Sequence, residues 1–76
     1  MTKVKQAAII TLMDMIYDAY HGTSEINPPK TGLTQRVLYS AVRRIFEPLE
    51  FEMVLEQLIT GNKARFDGKH WRWIEN

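Results

Sequence analysis

The hydrophobic pattern of this chain changes period at Lys63, and that change limits the folds open to it. Before Asn62 apolar residues recur at helical spacing, whereas Lys63-Ala64-Arg65-Phe66 and His70-Trp71-Arg72-Trp73-Ile74 alternate large and polar residues in a period of two. Asp67-Gly68 between these runs is a strong short-range signal for a tight hairpin. A lone hairpin is marginal in water, so this one has to pack on the helices that precede it. All of this fits in 76 residues, one domain that buries only roughly 60% of its unfolded surface. With no cysteine, a disulfide framework, a Cys-ligated zinc, an iron–sulfur cluster and a thiol nucleophile are excluded. One economical hydrophobic core has to hold the fold.

Three helices are expected ahead of the hairpin. Thr2 caps the first, which runs to about Tyr20 with His21-Gly22 as its stop. Its apolar residues, Ala8, Ile9, Ile10, Leu12, Met13, Met15, Ile16, Tyr17, Ala19 and Tyr20, cover an arc of about 220°, well beyond the stripe a one-sided surface helix needs. Lys3, Thr11, Asp14 and Asp18 keep a polar strip open. Such a helix is sandwiched within the domain or shared with a second copy. A homodimer through this helix is expected, using either Ile10, Met13 and Tyr17 or Ala8, Met15 and Ala19 as the surplus flank.

Residues 22–32 form a loop, because Pro28-Pro29 forbids helix and pushes Asn27 to extended geometry. Thr34 then caps a second helix to about Phe46, with Val37, Leu38, Ala41, Val42 and Ile45 apolar and Arg36, Ser40, Arg43 and Arg44 opposite. Glu47-Pro48 breaks it and starts a third. There Phe51, Val54, Leu55, Leu58 and Ile59 form the buried face, while Glu50, Glu52, Met53, Glu56, Gln57 and Thr60 point to solvent. Gly61-Asn62 ends that helix. The expected class is α+β, a three-helix core closed by a C-terminal two-stranded β-hairpin. The expected core is Ile9, Leu12, Ile16, Val37, Ala41, Ile45, Phe51, Val54, Leu58, Phe66 and Trp73, each mid-arc on its element.

Three helices followed by a hairpin, with Leu55-Glu56-Gln57-Leu58, the Gly61-Asn62 turn and the stretch from Lys63 to Ile74, resembles the winged helix–turn–helix superfamily over residues 45–74. The resemblance implies a single winged-helix-like domain over residues 1–76, whose third helix enters the DNA major groove while the wing touches phosphates. This third helix carries three glutamates and no lysine or arginine, which opposes the electrostatic attraction that dominates DNA affinity. Double-stranded DNA is therefore expected to be contacted mainly by Lys63, Arg65, Lys69 and Arg72 of the wing, helped by Arg36, Arg43 and Arg44. That makes a small non-enzymatic DNA-binding protein, a transcriptional regulator or accessory factor. The alternative is a protein-interaction module of the kind phages and mobile elements use, docking on a larger protein through Glu50, Met53, Glu56 and Gln57. The net charge of +1 favours neither partner.

No stretch approaches the roughly 18 apolar residues that span a bilayer. Asp14 and Asp18 interrupt the signal-peptide-like start, and no small-residue cleavage site follows. The chain is expected in the cytoplasm and off the membrane. His21 and His70 are too few for a structural zinc site. No phosphate loop, zinc-helix motif or nucleophile elbow occurs. Neither catalysis nor a cofactor or metal is expected.

Overall fold

The computed structural model describes residues 2–22 and 32–75, so all but the ends of the expected 22–32 loop lie outside the described residues. The elements are α1 (Lys3–His21), α2 (Gln35–Val42), α3 (Pro48–Thr60), β1 (Ala64–Phe66) and β2 (Trp71–Trp73). The chain is thus α+β, three helices and an antiparallel hairpin. Among the described residues, no helix is long and apolar enough to cross a membrane.

Each helix begins and ends where local chemistry requires. The Thr2 and Thr34 hydroxyls accept from the backbone N–H groups of Lys5 and Val37, each at 3.3 Å, satisfying donors that a helix start leaves orphaned. Gly22 closes α1 in the left-handed conformation, φ 63°. At the end of α3 the left-handed residue is Asn62, φ 56°, and Gly61 keeps a negative φ. The Asn62 N–H donates to the Ile59 carbonyl and the Lys63 N–H to that of Leu58, a Schellman closure. Asparagine tolerates this position better than most side chains, and the closure turns the chain directly into β1.

Leu12, Ile16, Leu38, Val42, Phe46, Phe51, Val54, Leu55, Leu58, Ala64 and Trp71 form the core with Ala8. α1 lies against β2 and α2, and α3 against β1. Lys5 of α1 ties the two helix starts together: its ammonium pairs with Glu50 and stands 5.9 Å above the centre of the Phe46 ring. Ala8 and Ala19 are buried and Met15 half-buried, so the surplus flank of α1 is the one carrying Ile10 and Tyr17.

The expected end of α2 and six of the expected core residues are corrected, Ile9 among them, which is only half-buried. α2 ends at Val42 rather than near Phe46. Arg43–Ile45 form a turn instead, closed by the Ile45 and Phe46 N–H groups on the Val42 carbonyl. Val37 and Ala41 are exposed and Ile45 half-buried, and Leu38, Val42 and Phe46 face inward. Leu38, Val42 and Phe46 are spaced by four residues and share one face, and the Phe46 N–H still bonds the Val42 carbonyl, so this row rather than Val37–Ala41 is the one turned to the core. In the hairpin, the register Ala64↔Trp73 and Phe66↔Trp71 puts all four side chains on one face. Trp71, not Trp73, is the buried tryptophan, while Phe66 near the hairpin tip stays exposed and lays its ring 5.0 Å from that of Trp71.

A further pairing has no period in the sequence to announce it. Leu33 bridges Trp71 with two backbone hydrogen bonds, 3.0 and 2.7 Å. Gly32 beside it admits no side chain, because a Cβ there would stand 2.5 Å from the His70 Cβ and 3.0 Å from the Trp71 carbonyl oxygen.

Two sets of substitutions test this packing by chemical denaturation. Leu38→Ala is expected to cost about 2–5 kcal/mol, and Val37→Ala less than about 1 kcal/mol; the reverse order would refute the orientation of α2. Gly32→Ala is expected to cost about 1–3 kcal/mol by overpacking. An unchanged denaturation midpoint would show that Gly32 has room to spare.

Candidate functional site

Two polar surfaces carry the residues that the sequence singles out. The first is the outer side of α3. Leu49 and Met53, four residues apart on one helix, stand 75% and 60% exposed. Glu52, Glu56 and Gln57 are exposed beside them. Glu50 behaves differently. Its carboxylate accepts from the Lys5 ammonium and from the backbone N–H of Glu47, and those bonds, Lys5 first, hold its pKa below the ordinary glutamate value. It is an internal tie between α1 and α3. Glu52 and Glu56 have no ion-pair partner among the described residues.

Grooves flank this ridge on either side. One, of about 350 Å³, is lined by Gln35, Arg36, Tyr39, Pro48, Phe51 and Glu52. A smaller one runs between Lys5, Phe46, Glu50, Met53, Val54 and Gln57. Gln57 and Met53 therefore share a depression with the Lys5–Glu50 pair, whereas Glu56 stands clear of it. Leu49 is the residue sequence reasoning missed. It sits one turn before Met53 on the solvent stripe, and an apolar residue on that stripe was the available signal.

The second surface is the hairpin. Arg65 and Arg72 are directly paired across the two strands, on the face opposite Ala64 and Trp71. Like charges so placed repel, and the turn supplies the counter-charge. Asp67 accepts from the backbone N–H groups of His70 at 2.7 Å and Lys69 at 2.9 Å, and from Arg72 Nε at 2.7 Å. These bonds, with that from His70 the strongest and Arg72 next, hold the Asp67 carboxyl well below the usual carboxylate range. Arg72 is accordingly engaged within the hairpin. Lys63, Arg65 and Lys69 are exposed and form no ion pair among the described residues.

The seven expected cations come from three places in the fold. Arg43 and Arg44 lie in the turn before α3 and Arg36 lines the groove at its start, while the hairpin leaves from its end. None of the three arginines pairs with a glutamate of α3 among the described residues. Those residues also hold no cluster of three His, Asp or Glu side chains able to grip a metal ion. His21 lies instead within a ring cluster at the end of α1, 4.2 Å from Tyr17, with Glu75 at 4.0 Å.

No protein-family model, curated protein or solved structure matches the chain.

The hairpin chemistry is testable by pH. A carboxyl whose folded pKa lies below its unfolded value stabilises the fold fully above the unfolded value, near 3.9 for aspartate, and loses that contribution as pH falls through the folded value. Thermal melts of the protein and of Asp67→Asn are therefore expected to differ constantly down to about pH 5 and to converge below about pH 4. A melting-temperature gap independent of pH would show that the charge of Asp67 does not hold the turn.

Proposed function

We propose that this chain is a small non-enzymatic docking domain that binds a basic protein surface through the outer side of α3. The observation carrying this reading is the exposed Leu49–Met53 ridge with unpaired Glu52 and Glu56 alongside. Burying a leucine or methionine side chain against a partner gains about 1.5–3 kcal/mol, and the two carboxylates select a cationic partner and speed its approach. The same two charges oppose a phosphate backbone. The resemblance to winged helices is compatible with this use, since a fold does not fix the partner. In this reading the domain works in the cytoplasm, as a modulator of a larger protein of the phage or mobile-element kind.

A second reading is DNA contact by the hairpin, with a role in transcription regulation. It is favoured by Lys63, Arg65 and Lys69, exposed on one short hairpin with no acidic partner. Arg72 contributes less there because Asp67 neutralises it.

Fluorescence anisotropy with three probes separates the readings: an amphipathic helical peptide with lysines on its polar face, its glutamate counterpart, and mixed-sequence duplex DNA. The lysine peptide is expected to bind, the glutamate peptide not. Glu52→Lys with Glu56→Lys is expected to weaken the first about tenfold or more, as is Leu49→Ala with Met53→Ala. Equal binding of the two peptides would refute the docking reading. Duplex affinity that falls steeply between about 50 and 200 mM salt, with a slope reduced by about one for each of Lys63→Ala, Arg65→Ala and Lys69→Ala, would transfer the function to the hairpin.

A further inference from the structure

The outward side of α1 is a stripe of Lys3, Ala7, Ile10, Asp14, Tyr17 and His21, all exposed. Their spacing alternates four and three residues, the repeat by which one helix presents a straight seam to another. Ile10 at its centre is 58% exposed, and Tyr17 45%. Tyr17 is held in place by an edge-on contact with Trp73, ring centres 5.4 Å apart, and by its contact with His21. Ala7 leaves the middle of the seam low enough for a second backbone to approach.

The charges along this face are arranged asymmetrically. Lys3 lies at the start of α1, Asp14 and Asp18 toward its end, and none of the three has a side-chain ion-pair partner among the described residues. Two copies laid parallel would set Lys3 against Lys3 and Asp14 against Asp14. Laid antiparallel about an axis between Ile10 and Thr11, they set Lys3 of each copy opposite Asp18 of the other and Ala7 opposite Asp14, twice by symmetry. The two Ile10 side chains then lie one residue apart across the axis. A two-fold interface must be complementary to itself in this way. The opposed helix dipoles favour the same orientation.

We infer that α1 is a self-association surface, pairing antiparallel with α1 of a second copy of this chain. The occupant is a second copy because the face carries both members of the required charge pair in the order that only the reversed helix matches. The interface is independent of α3, so the dimer displays two α3 ridges.

Sedimentation equilibrium from low to high micromolar concentration tests this. The mass is expected to rise from 8.9 kDa toward twice that value. Ile10→Asp is expected to hold the protein at the monomer mass. Lys3→Glu or Asp18→Lys alone is expected to raise the dissociation constant about tenfold or more, because each change acts twice in a symmetric interface. Combining the two is expected to restore dimerisation. Glutamate near the start of a helix and lysine near its end suit the helix dipole, so unfolding does not account for losses in the single variants. Circular dichroism confirms that each is folded. A monomer at every concentration would overturn the inference. So would a dimer indifferent to Ile10→Asp, or single losses that the double variant fails to recover.

Discussion

Trp71 is the residue on which the rest of this structure depends. Its backbone N–H and carbonyl are both bonded to Leu33, which fastens the segment ahead of α2 to the hairpin. Its side chain lies in the core, in the strand that α1 covers. The indole N–H is buried with no acceptor among the described residues, which costs on the order of 1–3 kcal/mol. Burying a tryptophan removes roughly 150–250 Å² from water, which at about 25 cal/mol per Å² outweighs that cost. The apolar term wins, and the ring stays in.

A second constraint acts at the start of α3. Lys5 joins α1 to α3 through Glu50, and Glu50 in turn receives the Glu47 N–H that begins the helix. One carboxylate thus serves both helix initiation and the packing of two helices. Its neighbours Glu52 and Glu56 serve neither, and this difference separates architecture from surface on a helix whose acids look alike in sequence. The hairpin repeats the division: Asp67 and Arg72 maintain the turn, leaving Lys63, Arg65 and Lys69 on the outside.

Much of the fold was legible in the sequence because local chemistry wrote it there. Thr2 and Thr34 as caps, Pro48 as a start and Asp67-Gly68 as a turn each act within a few residues, and all stand where expected. Four of the five residues expected on the buried face of α3, Phe51, Val54, Leu55 and Leu58, are buried for the same reason, while Ile59 in the last turn is 45% exposed. α2 was harder. Its apolar arc held two adjacent rows, Val37–Ala41 and Leu38–Val42, and packing against the rest of the domain, not helix periodicity, decides which of them faces inward. Leu33 left no signal at all, since a one-residue bridge has no period. For the candidate sites, the residue types were readable but their employment was not. Nothing in the sequence tells Glu50 from Glu56, or Arg72 from Arg65, until Lys5 and Asp67 are seen to occupy one member of each pair.

The contact between α1 and β2 joins opposite ends of the described chain, and this bears on how the molecule is made. As the polypeptide leaves the ribosome, α1 emerges first with an apolar face wider than α2 alone can cover. It has to wait, exposed, until Trp71 and Trp73 arrive. Closing so long a segment adds only slowly to the entropy cost, but it makes folding dependent on contacts distant in sequence, which lowers its rate. Vectorial synthesis therefore gives this small domain little opportunity to fold in stages. Until the hairpin arrives, the apolar face of α1 that β2 covers in the finished fold stays open to other contacts.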